Sequence, residues 1–517
     1  GFFTDEHGDA VSSFSPFKGA SSAIVIDTQG KELPVECMLG ANDTYDVARF
    51  RVIAKKTTPL VIATSTATAG TGVWLLPYRE VKSVPRGTVR KAETFRDHYA
   101  YYTIALNMPE GTTSCPLMNE AGEAIGLMQQ PSRQGDTLSY AVSALFADSL
   151  RIHGLSINDA TLRSTHIKKA LPDELNQAQL TLYLAQSLDS ASHAQLVNDF
   201  IAKFPHSPDG YISRANLAAN AKQFADAASD MEQAIKVSDK KDEAHFSYSK
   251  LIYQKDIYMG NTPYDAWSLD KALAEAQEAE RLNPLAVYRH QQAIILYAQK
   301  KYTEASDIYA SITNSELRSA GLFYEASRCK AAQQDTTAQL SLLDSCMAMF
   351  SQPYLKEAAP YMMARAQVLL DAGQYRKAVT DLTEYEKLMQ TTVNANFYYL
   401  RFQAEVGGRL YQQALNDIDK AIQMAPQYDL YYAEKASLQV RVGMYDDAIA
   451  TANECIKLAP DHSDGYLFLG IAQCLKGQKA EGHHGAYCHI QYGKIKDAPC
   501  MRVQRQPICK KRHYLMD

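Results

Sequence analysis

The sequence predicts a multidomain β + α protein in which an N-terminal β-barrel domain precedes an all-α repeat superhelix. Two patterns predict this fold class. Residues 1–150 contain short apolar runs separated by turn residues, which is typical of an all-β sandwich or barrel. Residues 208–482 repeat small and aromatic residues with a period of about 34, which is typical of stacked helical hairpins.

The composition of the 517-residue chain excludes several classes of protein. Its net charge of −5 provides no electrostatic footprint for nucleic acid, so we expect no nucleic-acid partner. No apolar run reaches the length of about 18 residues that a transmembrane helix needs, so no transmembrane segment is expected. The nine cysteines are scattered and contain no CxxC pair, which predicts neither a disulfide framework nor a metal site. We expect no cofactor.

The first residues, Gly1-Phe2-Phe3, have the character of the inside of a β domain. They include neither an initiator Met nor a signal peptide. We therefore expect the native chain to begin further upstream, together with any targeting segment.

Several strands are expected in the N-terminal region because each apolar run is bounded by turn residues. The expected strands are Ala23–Asp27, Ala48–Val52, Gly72–Leu76, Ala124–Met128 and Leu138–Val142.

Four motifs follow one another in this region. The first motif is a glycine-phenylalanine strand followed by an Asp/Gly turn and a Gly-Ala pair, and the second is an Asp that begins a strand of alternating apolar residues. The third is a glycine loop that ends in Pro-Leu and is followed by a Gly-x-x-Ile-Gly strand. The fourth is a Tyr-Ala-Val strand that precedes a helix. The motifs occupy Gly1–Ala20, Asp46–Val52, Gly111–Gly126 and Tyr140–Val142. In this order they resemble the trypsin-like serine peptidases of the bacterial HtrA/Deg type. The resemblance implies a trypsin-like domain over residues 1–151.

The resemblance also implies that the catalytic triad is degenerate. In that family a His base takes the proton of a Ser nucleophile while an Asp orients the His. Ser15 falls at the His position, Asp46 at the Asp position and Thr113 at the nucleophile, while Gly111 retains the glycine of the oxyanion loop. The base is missing and the nucleophile is a hindered secondary alcohol, so we interpret the domain as a pseudoprotease.

Other residues could in principle supply the missing chemistry. His7 or His98 could reach the site, although the simpler interpretation is two surface histidines. Ser114 and Cys115 replace two glycines of the oxyanion loop. Ser114 would be the nucleophile if the loop changed register, and Cys115 could act as a thiol, although a lone cysteine is usually a small buried hydrophobe.

Two segments connect the β domain to the repeats. Residues 152–173 are polar and irregular, which predicts a linker. Residues 174–207 predict an atypical helical pair that caps the array, since terminal repeats present a more polar outer face.

The repeats place a small residue in the first helix of each hairpin and another 12 positions later in the second helix. Prolines follow several second helices, and glycine turns join first helices to second helices. The pairs with this spacing are Ala215 and Ala227, Ala293 and Ala305, Ala326 and Ala338, Ala366 and Ala378, Phe402 and Ala414, and Ala436 and Ala448. The pattern resembles the tetratricopeptide-repeat family.

We expect seven full units and a truncated eighth over residues 208–482, the second with a longer first helix or an inserted loop near 260–263. The resemblance implies a concave face that binds a peptide or protein, although its residues cannot be assigned. Residues 483–517 form an irregular, basic tail with three cysteines and four histidines. Its cysteines lack the pairing of a metal site, which leaves a disordered tail or a reading-frame change.

The sequence supports two functional hypotheses. The first is a protein-interaction scaffold built from the degenerate trypsin-like domain and peptide-binding repeats, in an extracytoplasmic compartment as the family resemblance implies. The alternative is an active serine-type endopeptidase whose substrates are recruited by the repeats. The residue at position 15 and the loop at 111–115 distinguish them.

Overall fold

A computed structural model describes residues 1–78, 83–130 and 137–477. The chain divides into two compact units, Gly1–Ser268 and Leu269–Asp517. An N-terminal β region with a six-stranded barrel precedes a long helical repeat array that resembles tetratricopeptide repeats.

The first part of the β region is a five-stranded antiparallel sheet in the order β1-β2-β5-β4-β3. Its core contains Phe14, Phe50 and Met38, which are buried between the sheet and the segments that follow the barrel. Its strands are β1 (Phe2–Phe3), β2 (Asp9–Ser12), β3 (Ile24–Ile26), β4 (Glu32–Asn42) and β5 (Val47–Val52).

The second part is a closed barrel in the order β10-β11-β8-β7-β6-β9. Alternate side chains of β8 are buried in its core, as the period-two pattern of a barrel strand requires. The strands are β6 (Gly72–Leu75), β7 (Arg86–Phe95), β8 (Tyr99–Ala105), β9 (Pro116–Met118), β10 (Ala124–Met128) and β11 (Leu138–Ser143). All five expected strand segments lie on observed strands.

The segment 152–173, which we expected to be an irregular linker, is packed against the five-stranded sheet. It contains a 3-10 turn at Gly154–Asn158 and the short helix α2 (Ala160–Arg163), which follows α1 (Ala144–Ser149). Leu162 and Ile167 are buried in the core of the sheet, and Lys169 forms a parallel bridge with Met38. The apolar residues of this segment are scattered among polar ones without a helical or strand period, which is why the sequence did not indicate this packing.

Helical structure follows immediately. The expected capping pair is occupied by α3 (Leu175–Leu184) and α4 (Ser190–Lys203), whose contact buries Ala178, Val197 and Phe200. The first unit continues with α5 (Pro208–Asn220), α6 (Phe224–Val237) and the 18-residue α7 (Lys241–Tyr258).

The described part of the second unit consists of helices from α8 to α19. First helices alternate with second helices, and each pair is joined by a short turn. The helices are α8 (Leu269–Leu282), α9 (Ala286–Ala298), α10 (Tyr302–Ile312), α11 (Ala320–Ala332), α12 (Thr336–Met347), α13 (Ala359–Asp371), α14 (Tyr375–Met389), α15 (Ala395–Gly407), α16 (Tyr411–Met424), α17 (Asp429–Val442), α18 (Tyr445–Leu458) and α19 (Ser463–Leu475). The remainder of the expected eighth unit, from residue 478, and the tail at 483–517 lie outside the described residues.

The small residues that defined the repeats lie at the contacts between helices. All of the alanines in the predicted pairs are buried except Ala338, which is half-buried, and Phe402 is buried as well. The turns between the helices need one residue with positive φ. Gly373 and Gly443 provide it in two turns, whereas Arg409 has this conformation in a turn where we expected a glycine.

Candidate functional site

The residues at the predicted His and Asp positions are in direct contact. The Ser15 hydroxyl donates a hydrogen bond of 2.7 Å to Asp46 Oδ1. The same oxygen accepts the amide N–H groups of Phe14 at 3.0 Å and Ser15 at 2.6 Å. Asp46 ends the β4–β5 turn, and Ser15 begins a 3-10 turn after β2, so the antiparallel pairing of β2 with β5 brings the two together. The carboxylate therefore caps this 3-10 turn.

The loop that carries Thr113 lies between β8 and β9. Gly111 has φ of +77° and Ser114 has φ of +65°. The left-handed conformation of Ser114 is one that glycine adopts without strain. The amide N–H groups of Gly111 and Thr113 donate to no other described residue.

A buried serine pair joins this loop to the five-stranded sheet. The Ser114 hydroxyl donates to Ser13 Oγ at 2.7 Å, and the amide of Ser13 donates to Ser114 Oγ at 3.1 Å. Thr113 and Ser15 lie one and two residues from this pair, so both predicted positions flank it. Among the described residues, however, the Thr113 hydroxyl has no hydrogen-bond partner, and its carbonyl accepts the hydroxyl of Tyr78 at 3.3 Å.

Neither histidine that was weighed as a replacement base lies in contact with these residues in the described parts of the chain. His7 lies in the turn before β2, and the whole of β2 separates it from Ser15. His98 lies in the β7–β8 turn rather than in a strand, with its ring 4.0 Å from the ring of Tyr99.

The Cys115 thiol is buried, and burial raises its pKa. The nucleophilic form of cysteine is the thiolate, so this thiol is held in its unreactive form. Among the described residues, no hydrogen bond joins the Thr113 hydroxyl to a group that would accept its proton.

Side chains from successive first helices of the second unit contact one another one repeat apart. His290 lies 2.5 Å from Glu325. Tyr431 donates to Asn396 at 2.9 Å. The Tyr324 and Tyr361 rings are 5.6 Å apart. We call the surface formed by the half-buried or exposed side chains among these the first-helix surface (His290, Tyr324, Glu325, Tyr361 and Asn396), while Tyr431 is buried beneath it. It combines aromatic rings with hydrogen-bonding groups, which is the chemistry of a peptide-binding surface.

A second regular feature was missed by the sequence reasoning. Three hairpins join a first-helix arginine to a second-helix aspartate 16 positions later by two hydrogen bonds each. The pairs are Arg214 with Asp230, Arg365 with Asp381, and Arg401 with Asp417. Each arginine directly precedes the repeat residue of its first helix, and each aspartate lies three positions after the alanine of its second helix, so the spacing was a usable signal. These pairs fasten the hairpins, which assigns them to stability.

The Arg401 pair belongs to a buried charge cluster. Arg401 also contacts Glu386 at 2.7 Å, and Glu405 lies 3.8 Å from its Nε. Burial, followed by the neighbouring Asp417 carboxylate, raises the pKa of Glu405 to about 8. Glu405 Oε2 has no hydrogen-bond partner in the described parts of the chain.

In the parts of the chain that the structure describes, no group of three or more His, Cys, Asp or Glu side chains is placed to hold a metal ion. No helix described here has the length and apolar character needed to cross a membrane.

Comparisons with known proteins concern the helical array. No protein-family model matches the chain. "Small glutamine-rich tetratricopeptide repeat-containing protein 2" of Saccharomyces cerevisiae is 32% identical over 71 residues, which is 14% of this chain. The chain spans 20% of the length of that relative.

Solved structures that are similar include MamA, with 19% identity and a TM-score of 0.29 over 32% of this chain and 93% of MamA. Another is YrrB, described as a tetratricopeptide-repeat protein with an unusual peptide-binding site, with 16% identity and a TM-score of 0.32 over 39% of this chain and 95% of YrrB.

Proposed function

We propose that this protein is a polypeptide-binding scaffold that combines a catalytically inactive trypsin-like domain with peptide-binding helical repeats. The observation that carries the proposal is the hydrogen bond between Ser15 and Asp46. It occupies the place where the resembled peptidases have their His–Asp pair, and serine cannot act as the base.

The strand order of the β region supports the trypsin-like assignment. A closed six-stranded antiparallel barrel follows a sheet whose five strands have the same order as five strands of the barrel. Such a closed barrel supports the β-barrel domain that the resemblance implies. The Ser13–Ser114 contact joins the two parts beside the residues at the triad positions.

The inactivity follows from acid–base chemistry. An alcohol attacks a peptide carbonyl only when a neighbouring base removes its proton. Asp46 accepts three hydrogen bonds at Oδ1 from Phe14 and Ser15, and burial raises the pKa of the Cys115 thiol. Loss of one triad member leaves only the small rate enhancement of the binding site.

The repeats supply the binding activity in this proposal. Stacked helical hairpins characteristically bind peptides or partner helices. The aromatic and polar first-helix surface supports this role, and YrrB is described as having a peptide-binding site. An extracytoplasmic location, which the peptidase resemblance implies, belongs to the same proposal.

One experiment tests the loss of catalysis. The purified protein and Thr113→Ala are incubated with a fluorophosphonate probe and with unfolded casein. We expect no labelling and no cleavage above the level of Thr113→Ala. Cleavage that disappears in Thr113→Ala would instead establish an active serine-type endopeptidase with repeat-mediated substrate recruitment.

A second experiment tests the binding surface. Peptides are selected from a random display library on the whole protein, and their affinities are measured for the wild type, Tyr324→Ala and Tyr361→Ala. We expect each substitution to weaken binding about tenfold, because aromatic anchors dominate such interfaces. Met424→Ala, on the exposed side of α16, is the matched control. Equal affinity for all four proteins would contradict the assignment of the first-helix surface.

A further inference from the structure

The second helices of the array differ in how deeply their first turns are packed. Most of them bury the repeat alanine and the residues one, three and four places after it. In α12 none of these four residues is buried, since Ala338, Gln339 and Leu342 are half-buried and Ser341 is exposed. At least three of the four are buried in α6, α8, α10, α14, α16 and α18, counted from Ala227, Ala272, Ala305, Ala378, Ala414 and Ala448.

The second half of α12 is packed as firmly as the rest of the array. Leu343, Cys346 and Met347 are buried. The Cys346 thiol donates to the Ala320 carbonyl of α11 at 3.2 Å, and Met347 belongs to a core cluster with residues of α13. The helix is therefore anchored at its C-terminal end, and we call residues 336–342 the loose half of α12.

The loose half also lacks the ion pair that fastens three other hairpins. Glu325 occupies the arginine position of α11, and Ser341 occupies the aspartate position of α12. Glu325 instead lies 2.5 Å from His290 of α9. The hairpins α9–α10 and α17–α18 lack the pair as well, but they bury the first turns of their second helices. Among the described hairpins of the array, α11–α12 therefore has the weakest attachment of its second helix.

A groove of about 550 Å³ lies between α12, α13 and α14. The loose half contributes Thr337 and Ser341 to its lining, and α14 contributes Lys377 and Thr380. Hydroxyl and ammonium groups of this kind are well solvated, so the groove provides little of the apolar burial that would hold a helix in place.

The local sequence adds little stability to the loose half. Thr336 and Thr337 are β-branched, and Ser341 is a poor helix former. The Asp335 carboxylate caps the helix by accepting the Ala338 amide at 3.0 Å. The link 348–358 from α12 to α13 is the longest between a second helix and the next first helix in the described array.

We propose that the loose half of α12 unfolds locally while the neighbouring hairpins stay folded, and that this opening regulates peptide binding on the first-helix surface. The regulatory part rests on the function proposed above. Segments with few buried apolar contacts open at a small fraction of the free energy of global unfolding. Because the loose half buries the least of the second helices described, it opens first.

Helix α11 connects the loose half to the binding surface. Leu342 packs against the core cluster that contains Ala326 of α11. On the same helix, the Tyr324 ring lies 5.6 Å from the Tyr361 ring of α13. Opening removes the support of α11, so the two rings are no longer held at one spacing. A peptide that contacts both rings binds the closed form more tightly, and closure and binding therefore favour each other.

Hydrogen–deuterium exchange of the whole protein tests the local opening without any ligand. The amides of residues 339–342 are compared with the equivalent amides 379–382 of α14 and 415–418 of α16, after correction for intrinsic exchange rates. We expect exchange at least tenfold faster in α12 than in the other two helices. Equal exchange in the three helices overturns the proposal.

A designed ion pair tests the cause of the opening. The double variant Glu325→Arg/Ser341→Asp places arginine and aspartate at the spacing of the three natural pairs, and it should slow exchange of the loose half about threefold. Glu325→Arg alone is the control, because it loses the contact with His290 without gaining the pair, and it should not slow exchange. Near-UV circular dichroism verifies that both variants are folded. Equal exchange in the double variant and the control contradicts the assigned cause.

The regulatory part is tested with a peptide selected on the whole protein from a random display library. At about 100 times its Kd, the peptide should slow exchange of the loose half at least tenfold, because it binds only the closed form. The equivalent amides of α16 should be unchanged. The loose half is not part of the first-helix surface, so protection there reports closure and not contact with the peptide.

The outcomes separate this proposal from the proposed function. A peptide that binds through Tyr324 but leaves exchange of the loose half unchanged overturns the regulation, while the binding function stands. If no peptide binds, the binding function fails and the regulation fails with it. The comparison of α12 with α14 and α16 in the absence of peptide then still decides whether the loose half opens.

Discussion

Replacement of Glu405 by glutamine is expected to remove a pH-dependent loss of stability from the α15–α16 hairpin. Glu405 is 4% exposed and lies 3.8 Å from Arg401, which is committed to Asp417 and Glu386 by shorter contacts. Burial and the like charge of Asp417 raise the pKa of Glu405 to about 8. The neutral carboxyl is therefore the form that the fold favours.

The sign and size of the effect follow from proton linkage. A carboxyl whose pKa is higher in the folded than in the unfolded state binds more protons when folded, so stability falls as the pH rises between the two pKa values. With the ordinary value of 4.5 and the folded value of about 8, the free energy of unfolding falls by up to about 4 kcal/mol between about pH 5 and pH 9. Relaxation of the hairpin lowers this figure. Glutamine has no proton to lose.

Urea denaturation followed by circular dichroism at about pH 5, 7 and 9 measures the effect. Glu405→Gln should be close to the wild type at the lowest pH and more stable by roughly 1–4 kcal/mol at the highest. Glu454→Gln, on the solvent-exposed side of α18, is the matched control and should follow the wild type at each pH. If Glu405→Gln and the wild type lose stability in parallel, Glu405 is ionised in the folded hairpin and the reasoning is refuted.

Three further substitutions test other contacts. Lys300→Gly should raise the free energy of unfolding by up to about 1 kcal/mol in urea denaturation. Lys300 has φ of +63° in the α9–α10 turn, a conformation that glycine adopts without the steric cost of a side chain. A variant less stable than the wild type would contradict this. Asp417→Ala should lower the free energy of unfolding by about 3 kcal/mol, because it leaves the Arg401 guanidinium buried without its main partner. A thermal midpoint close to that of the wild type would show that the pair is dispensable. Asp46→Ala should lower the free energy of unfolding by about 1–2 kcal/mol, because the 3-10 turn at Ser15 loses its cap. An unchanged thermal midpoint would mean that solvent replaces the carboxylate.

The sequence was most informative where function and packing depend on local spacing. The alanines of the repeats were recognisable because two helices that cross closely require small side chains at fixed intervals. The prolines at 284, 426 and 460 each lie two residues after a helix ends, as the missing amide of proline requires. The turn at Gly407-Gly408 was less predictable, because Arg409 adopts the left-handed conformation there.

The candidate site was only partly predictable. The motif order placed Ser15 and Asp46 together, but it gave no indication that Asp46 would cap the 3-10 turn by accepting two amides as well as the serine hydroxyl. The role of Leu162 and Ile167 in the core of the sheet was also hidden, because the apolar residues of this polar segment follow neither a helical nor a strand period.

By itself, the sequence determined that short strands are followed by repeated helical hairpins, because helix and strand periods, glycine turns and helix-ending prolines act over a few residues. Tertiary structure alone decided which distant residues meet. The contact between Ser13 and Ser114 joins residues 101 positions apart, and Leu162 and Ile167 are buried in the core of a sheet whose strands lie more than 100 residues earlier. Such contacts depend on how whole strands and helices are placed against each other, and no local pattern in one chain encodes that placement.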